Sequence, residues 1–184
     1  MGKINDQILK TKSGKQISLT TPQPGEGAAL LECVTKVMAT SEHLLTSADE
    51  FKYTAEQEDN MLRTYLDHPD KVIITPKING RIIGMMDFSA GNRKKNSHQG
   101  EFGMSVHPDF QGEGIGRHML EALIAWAQNN PRIEILRLRV YSKNHRAHQL
   151  YCSCGFKEDG RELQGVKLAD GSYDDVICMA RIVR

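Results

Sequence analysis

No stretch of this chain approaches the ~20 consecutive apolar residues that a membrane-spanning helix needs. Charge of one sign is missing too: 184 residues carry 24 Lys and Arg against 23 Asp and Glu, and the basic residues are scattered. A nucleic-acid partner wants a basic face, so none is expected, and neither is a membrane. The start, M-G-K-I-N-D-Q, has no apolar signal core, and Asp6 stands where N-myristoylation wants Ser or Thr. Cysteine is sparse: Cys33, Cys152, Cys154 and Cys178 form no C-x-x-C pair, so no zinc site and no other metal is expected. Without a secretory signal they read as reduced thiols of a cytoplasmic protein. There is no internal repeat and no low-complexity tract. Two phosphate-binding signatures are absent as well. No Gly-Lys-Ser/Thr closes a Walker A loop, and Arg117 stands where a dinucleotide fingerprint would need its third glycine.

What is present centres on Val106–Arg117, V-H-P-D-F-Q-G-E-G-I-G-R. Gly112, Gly114 and Gly116 alternate where a strand-like run, Glu101–Val106, hands over to a helix-like run beginning at His118. Glycine admits left-handed backbone angles and has no Cβ to hold a ligand away. The first turn of a helix offers unpaired N–H groups at the positive end of its dipole. Together they predict a socket for a phosphate or diphosphate.

The length fits one domain that buries roughly 70% of its surface. Residues 1–15 read as a polar N-terminal arm, frayed or a hairpin, and 16–184 as the single domain. Gln16–Thr21 alternates like a strand, and P-Q-P-G follows. Apolar residues at helical spacing predict a helix from Glu26 to about Met38. Thr54 and Gln57 have capping-box spacing before a helix over about 55–66. Lys71–Ile78, Arg81–Ser89 and Gln99–Val106 read as antiparallel strands, the first two joined by an Asn79-Gly80 hairpin turn. A helix over about 115–129 should bury Met119, Leu120, Leu123, Ile124 and Ala127. Then follow a strand at 134–142, a short helix at 147–154, and a hairpin of 156–163 with 176–182. Only the strand–helix–strand unit 101–140 demands a parallel pair.

Gln111, Gly114 and Gly116 spell Q-x-x-G-x-G, which resembles the acetyl-CoA loop of the GNAT superfamily of N-acetyltransferases. Downstream, Asn144, Ala147, Leu150, Tyr151, Gly155 and Phe156 spell N-x-x-A-x-x-L-Y-x-x-x-G-F, similar to a second segment of that family. The likeness is strong from about Gly80 to Phe156. It implies an α/β GNAT fold: a mixed, mostly antiparallel sheet of six to seven strands flanked by about four helices. It also implies acetyl-CoA as co-substrate and, because family members are often dimers, a homodimer.

The resemblance assigns roles residue by residue. Backbone donors of Gln111, Gly112, Glu113, Gly114, Ile115, Gly116 and Arg117 would hold the diphosphate. Arg117 would add charge there or be a solvated arginine at a helix start. Met104, Ser105 and Val106 would pair with the peptide-like pantetheine arm, a strand-addition mode. Gly100 and Gly103 fit a close approach at that strand. Asn144 would touch the cofactor, cap the next helix, or both. Tyr151 matches the family's general acid, which protonates the departing thiolate; otherwise it is a core aromatic. Glu101, on the strand entering the site, is the candidate base for the acceptor amine, or else an exposed strand glutamate. His98 and His107 are reserve bases. A backbone N–H near Val106 would receive the oxyanion.

The acceptor is a primary amine: a free amino acid, a small amine, or a protein N-terminus as peptide partner. In the family it is gripped by the segment joining the first two helices, here about 39–53, and by the late hairpin, here about 165–173. Carboxylates there, Glu42, Asp49, Glu50, Asp170, Asp174 and Asp175, would hold a cation or simply solubilise the loops. The alternative to an enzyme is a non-catalytic acyl-CoA-sensing module that regulates a partner protein.

Overall fold

A computed structural model describes residues 2–184; Met1, the first residue of the expected polar arm, lies outside the described residues. The strands are β1 Gln7–Lys10, β2 Gln16–Thr20, β3 Lys71–Ile78, β4 Arg81–Ile82, β5 Gly84–Ala90, β6 Gln99–Val106, β7 Ile135–Tyr141, β8 Lys157–Lys167 and β9 Tyr173–Ile182. The helices are α1 Gly27–Met38, α2 Ala55–Asp67, α3 Ile115–Asn129 and α4 His145–Ser153. One mixed sheet runs β1-β2-β3-β5-β6-β7-β9-β8, with β4 attached to β3.

Local chemistry accounts for most boundaries. The capping box forms in full: Thr54 Oγ1 accepts the Gln57 N–H, and Gln57 Oε1 accepts the Thr54 N–H at 2.8 Å. Asn79 (φ 49°) and Gly80 (φ 81°) make the left-handed pair that closes a tight hairpin. The polar arm is the hairpin of the two alternatives, because β1 pairs antiparallel with β2. The expected single strand Arg81–Ser89 is two strands. Pro76 has no N–H to give the ladder, and its carbonyl instead takes the Ile83 N–H at 2.9 Å. Pairing therefore slips by one residue between Lys77–Ile82 and Ile74–Met86. This break and the extra strand β1 raise the sheet from the expected six or seven strands to nine.

The sheet divides two cores. On one face, α3 buries the predicted stripe together with Ala122 and Trp126, against Val72, Ile74, Met86, Phe88 and Phe102. Trp126 meets Phe88 edge-on at 5.5 Å between ring centroids. Each large side chain buried here contributes roughly 1.5–3 kcal/mol of transfer free energy. On the other face, Leu30 and Cys33 of α1 and Leu62 of α2 pack on Ile73 and Ile82. Alternation along β3 feeds both, Val72 and Ile74 one way and Ile73 the other. Among the described residues, no helix comparably covers the β7–β9–β8 half of the second face, and β8 is exposed along nearly its whole length.

The parallel pair β6–β7 positions the site. It has three rungs, Gln99–Ile135, Gly100–Leu136 and Glu101–Arg137. Beyond them β6 stays with β5 as far as Val106, and β7 stays with β9 as far as Tyr141. Each strand follows its other neighbour, and sheet twist carries them apart. Phe102–Val106 is left with one unpaired edge inside the sheet.

Candidate active site

The glycine loop has the geometry an anion socket needs. Gly112 (φ 87°) and Gly114 (φ 86°) are both left-handed, and Gly114 is the N-cap of α3. Among the described residues, the amides of Gly112, Glu113 and Gly114 find no acceptor. Ile115 and Gly116, the first helical residues, have no partner one turn back either. The Arg117 and His118 amides already bond to the Gly114 carbonyl. Gly116 is closely packed: a Cβ there would lie 3.1 Å from both Leu150 Cδ2 and Met104 Cε, so either side chain would have to shift. Three elements meet at that point, the start of α3, the open edge of β6, and α4.

Gln111 ties the loop to its surroundings. Its Nε2 donates to the Val106 carbonyl at 3.1 Å, and its Oε1 accepts from Arg146 Nη1 at 3.4 Å. Glu113 faces away: its carbonyl accepts the Lys12 N–H at 3.0 Å and its carboxylate the Ser13 N–H at 2.9 Å. The Ser13 hydrogen bonds hold that carboxyl below the usual glutamate range. The Arg117 guanidinium is spent on the end of α4, donating to Ser153 Oγ at 2.7 Å and Cys154 Sγ at 3.7 Å. Only its backbone belongs to the loop.

Tyr151 sits where β6 leaves β7. Its ring is 6.0 Å from Phe102, the first unpaired residue of β6, and 6.1 Å from Phe156, both edge-on. It is a buried member of the α3-side core, placed beside the point where β6 and β7 part. Its hydroxyl has no hydrogen-bond partner among the described residues, and burial pushes the phenol up to about 12. Asn144 Oδ1 caps α4 by accepting the Ala147 N–H at 3.2 Å, which leaves its Nδ2 available. Met104, Ser105 and Val106, all half-buried, form the open edge.

Glu101 lies on the opposite face of the sheet from Tyr151, because Phe102, its neighbour in β6, points into the α3 core. It is exposed and has no ion-pair partner among the described residues. It shares a cavity of about 270 Å³ with Arg137, Arg139, Glu162 and Cys178. Asp87 of β5, which sequence reasoning missed, stands beside it on the same face. Asp87 pairs across to Gly103, and its Oδ1 lies 3.5 Å from where a Gly103 Cβ would be. Burial raises its carboxyl and the nearby Glu101 charge adds to that, while the 3.2 Å hydrogen bond from Tyr65 Oη works the other way. Asp87 does not itself line that cavity; a raised carboxyl next to Glu101 makes it a candidate for the electrostatics of the site. The available signal was a lone acid within the apolar run G-M-M-D-F.

Neither reserve histidine joins the cleft. His107 is buried after β6, with Nδ1 accepting the Asp109 N–H at 3.3 Å, and His98 precedes the closed end of the β6–β7 pair. The acceptor-side acids are mostly engaged locally. Asp49 and Glu50 bind Ser47, Asp170 binds Ser172, and Asp174 anchors Ser142 and the Lys143 N–H. Asp175 accepts from Arg161 and from the Gln164 N–H. The 39–53 segment does reach the open mouth, where His43 meets Tyr141 edge-on at 6.2 Å. No helix among the described residues is long and apolar enough to cross a membrane.

The chain is similar to known proteins in sequence and in fold. Residues 39–156 match the acetyltransferase (GNAT) family. An L-amino acid N-acetyltransferase, AaaT of Escherichia coli, is 26% identical over 116 residues, 63% of this chain and 71% of that protein. A GNAT-family acetyltransferase of Streptococcus pneumoniae superposes with TM-score 0.87 at 24% identity, covering 90% of this chain and 99% of that one. The protein yncA of Salmonella typhimurium, solved with its cofactor acetyl-CoA, superposes with TM-score 0.78 at 20% identity, covering 91% and 94%. The non-catalytic sensor reading is not favoured by these matches. With its glycine loop, its opened parallel pair and the match over 39–156, the chain belongs to the acetyltransferase (GNAT) family and is an N-acetyltransferase of that kind.

Proposed function

We propose that the enzyme moves an acetyl group directly from acetyl-CoA to a small primary amine that carries its own carboxylate, a free amino acid. One observation carries the transfer reading: β6 and β7 part after three rungs, and the gap is bounded by the left-handed glycine loop on one side and Tyr151 on the other. The unpaired amides of residues 112–116 suit a diphosphate, and the open edge at Met104–Val106 suits the amide-rich pantetheine arm. The Val106 region would lend a backbone N–H to the oxyanion.

The two faces of the sheet divide the proton work. Glu101 accepts a proton from the incoming ammonium, directly or through water, and Asp87 adds negative charge that draws the cation in. The amine nitrogen bonds to the thioester carbonyl carbon, and the carbon–sulfur bond breaks. Tyr151 then delivers its hydroxyl proton to the sulfur and recovers one from solvent. A phenol raised to about 12 stays fully protonated at neutral pH, ready to donate. Burial makes the phenol the weaker acid, and the same dry surroundings make a departing thiolate the stronger base.

The amino-acid assignment is supported by the cavity that Glu101 shares with Arg139. Arg139 gives one nitrogen to Glu162, and its remaining donors suit a carboxylate fork. The named activity of AaaT points the same way. Thiol release from acetyl-CoA, followed across amino acids, polyamines, aminoglycosides and N-terminal peptides, tests it. Amino acids should be the best acceptors. Arg139→Ala should raise their KM roughly 10-fold while leaving the KM for acetyl-CoA unchanged. Preference for a polyamine would overturn the acceptor assignment alone. Tight CoA binding with no acceptor-dependent release across the panel would overturn the transfer reading.

A further inference from the structure

The β1–β2 hairpin lies outside the matched residues 39–156 and yet touches the glycine loop at several points. Lys12 N–H donates to the Glu113 carbonyl at 3.0 Å, and Ser13 N–H donates to the Glu113 carboxylate at 2.9 Å. One turn into α3, His118 Nε2 lies 3.2 Å from the Lys10 carbonyl oxygen. The Lys12 side chain crosses the loop itself: a Cβ on Gly114 would lie 3.7 Å from Lys12 Cγ and 4.0 Å from its Cε. Lys12 is exposed, and its ammonium has no ion-pair partner among the described residues.

From this juxtaposition we propose that the hairpin is part of the cofactor site, with the Lys12 ammonium contacting the diphosphate of CoA above Gly114. The inference rests on the reading of residues 111–117 as the diphosphate loop. Two effects combine. The backbone contacts turn the carbonyl and the carboxylate of Glu113 into the hairpin, so that neither faces an incoming anion. The side chain then brings a positive charge to the Gly114 end of a socket of neutral amides, whose Gly112 end already has Arg146 Nη2 3.5 Å from where a Cβ would be, and an ionised donor makes the stronger hydrogen bond to phosphate. Lys12 is thus a binding residue that anchors the donor substrate without entering the chemistry. The docking uses its backbone N–H, so truncating the side chain leaves the hairpin in place.

Isothermal titration of the full chain and of Lys12→Ala with CoA, dephospho-CoA and pantetheine, at low and high salt, tests the proposal. Dephospho-CoA keeps the diphosphate and lacks the 3′-phosphate; pantetheine lacks both. The expected result is a roughly 5- to 10-fold loss of affinity for CoA and for dephospho-CoA at low salt, shrinking as salt screens the contact. Pantetheine affinity should not change, and Lys12→Arg should restore binding. Equal affinity of Lys12→Ala and the parent for CoA would overturn the proposal. So would an equal loss for pantetheine, which marks a structural role, or a loss confined to CoA, which marks the 3′-phosphate as the contact. Gly114→Asp separates this failure from that of the underlying reading. If Gly114→Asp abolishes CoA binding and Lys12→Ala does nothing, the loop assignment stands and the hairpin's role falls.

Discussion

The two halves of the proposed active site are made of different material. The half assigned to the donor is mostly main chain: unpaired amides at 112–116, two left-handed glycines, and the open edge of β6. The half assigned to the acceptor is mostly side chain: Glu101, Asp87 and Arg139 on one sheet face, with His43 of the 39–53 segment at the mouth. A main-chain site tolerates almost any neighbour that keeps its backbone angles, but no bulk in the socket. A side-chain site can be retuned by single substitutions without loss of fold.

Changes in the main-chain half should have the largest effect. Gly114→Asp forces a side chain into a left-handed position and puts a negative charge where an anion belongs. CoA affinity should fall by roughly 100-fold or more, read by isothermal titration. Retained affinity would mean that the diphosphate lies elsewhere. Tyr151→Phe tests the boundary between the halves. Turnover should fall about 10²- to 10⁴-fold with CoA affinity nearly unchanged, read by thiol release alongside titration. Unchanged turnover would leave Tyr151 a core aromatic only.

The smallest expected effect is on stability. Burial raises the Asp87 carboxyl above its unfolded value, so the folded protein holds this proton to higher pH than the unfolded chain does. Stability from this group therefore declines as pH rises from the ordinary carboxylate range through the raised folded value. Asp87→Asn should flatten that decline in a series of melting temperatures, and at neutral pH it should raise the melting point. The same variant should weaken use of cationic acceptors. An unchanged slope would mean that Asp87 is no more burdened by burial than a surface acid.

Legibility in the sequence followed the same division. The loop could be read because glycine spacing, the helix start and the preceding strand lie within a dozen residues. The capping box at Thr54 and the turn at Asn79-Gly80 are equally local, and each formed as expected. The break at Ile83 was missed because Pro76, its cause, acts from the facing strand. Asp87 was missed for a similar reason: its neighbours Tyr65, Glu101 and Gly103 reach it only across the sheet or from α2. The docking of Lys12 and Ser13 on Glu113 spans about a hundred residues and leaves no local trace.

By itself, the order of residues determined the elements, the polarity of their faces and the bare glycine loop, because backbone angles, caps and alternation are decided by near neighbours. Tertiary structure alone decided that β6 and β7 separate after Glu101 and Arg137, that Tyr151 and Glu101 fall on opposite faces of that gap, and that a hairpin from the start of the chain closes on the loop. Those outcomes depend on which strand each edge prefers and on how sheet twist accumulates, and no single segment carries that information.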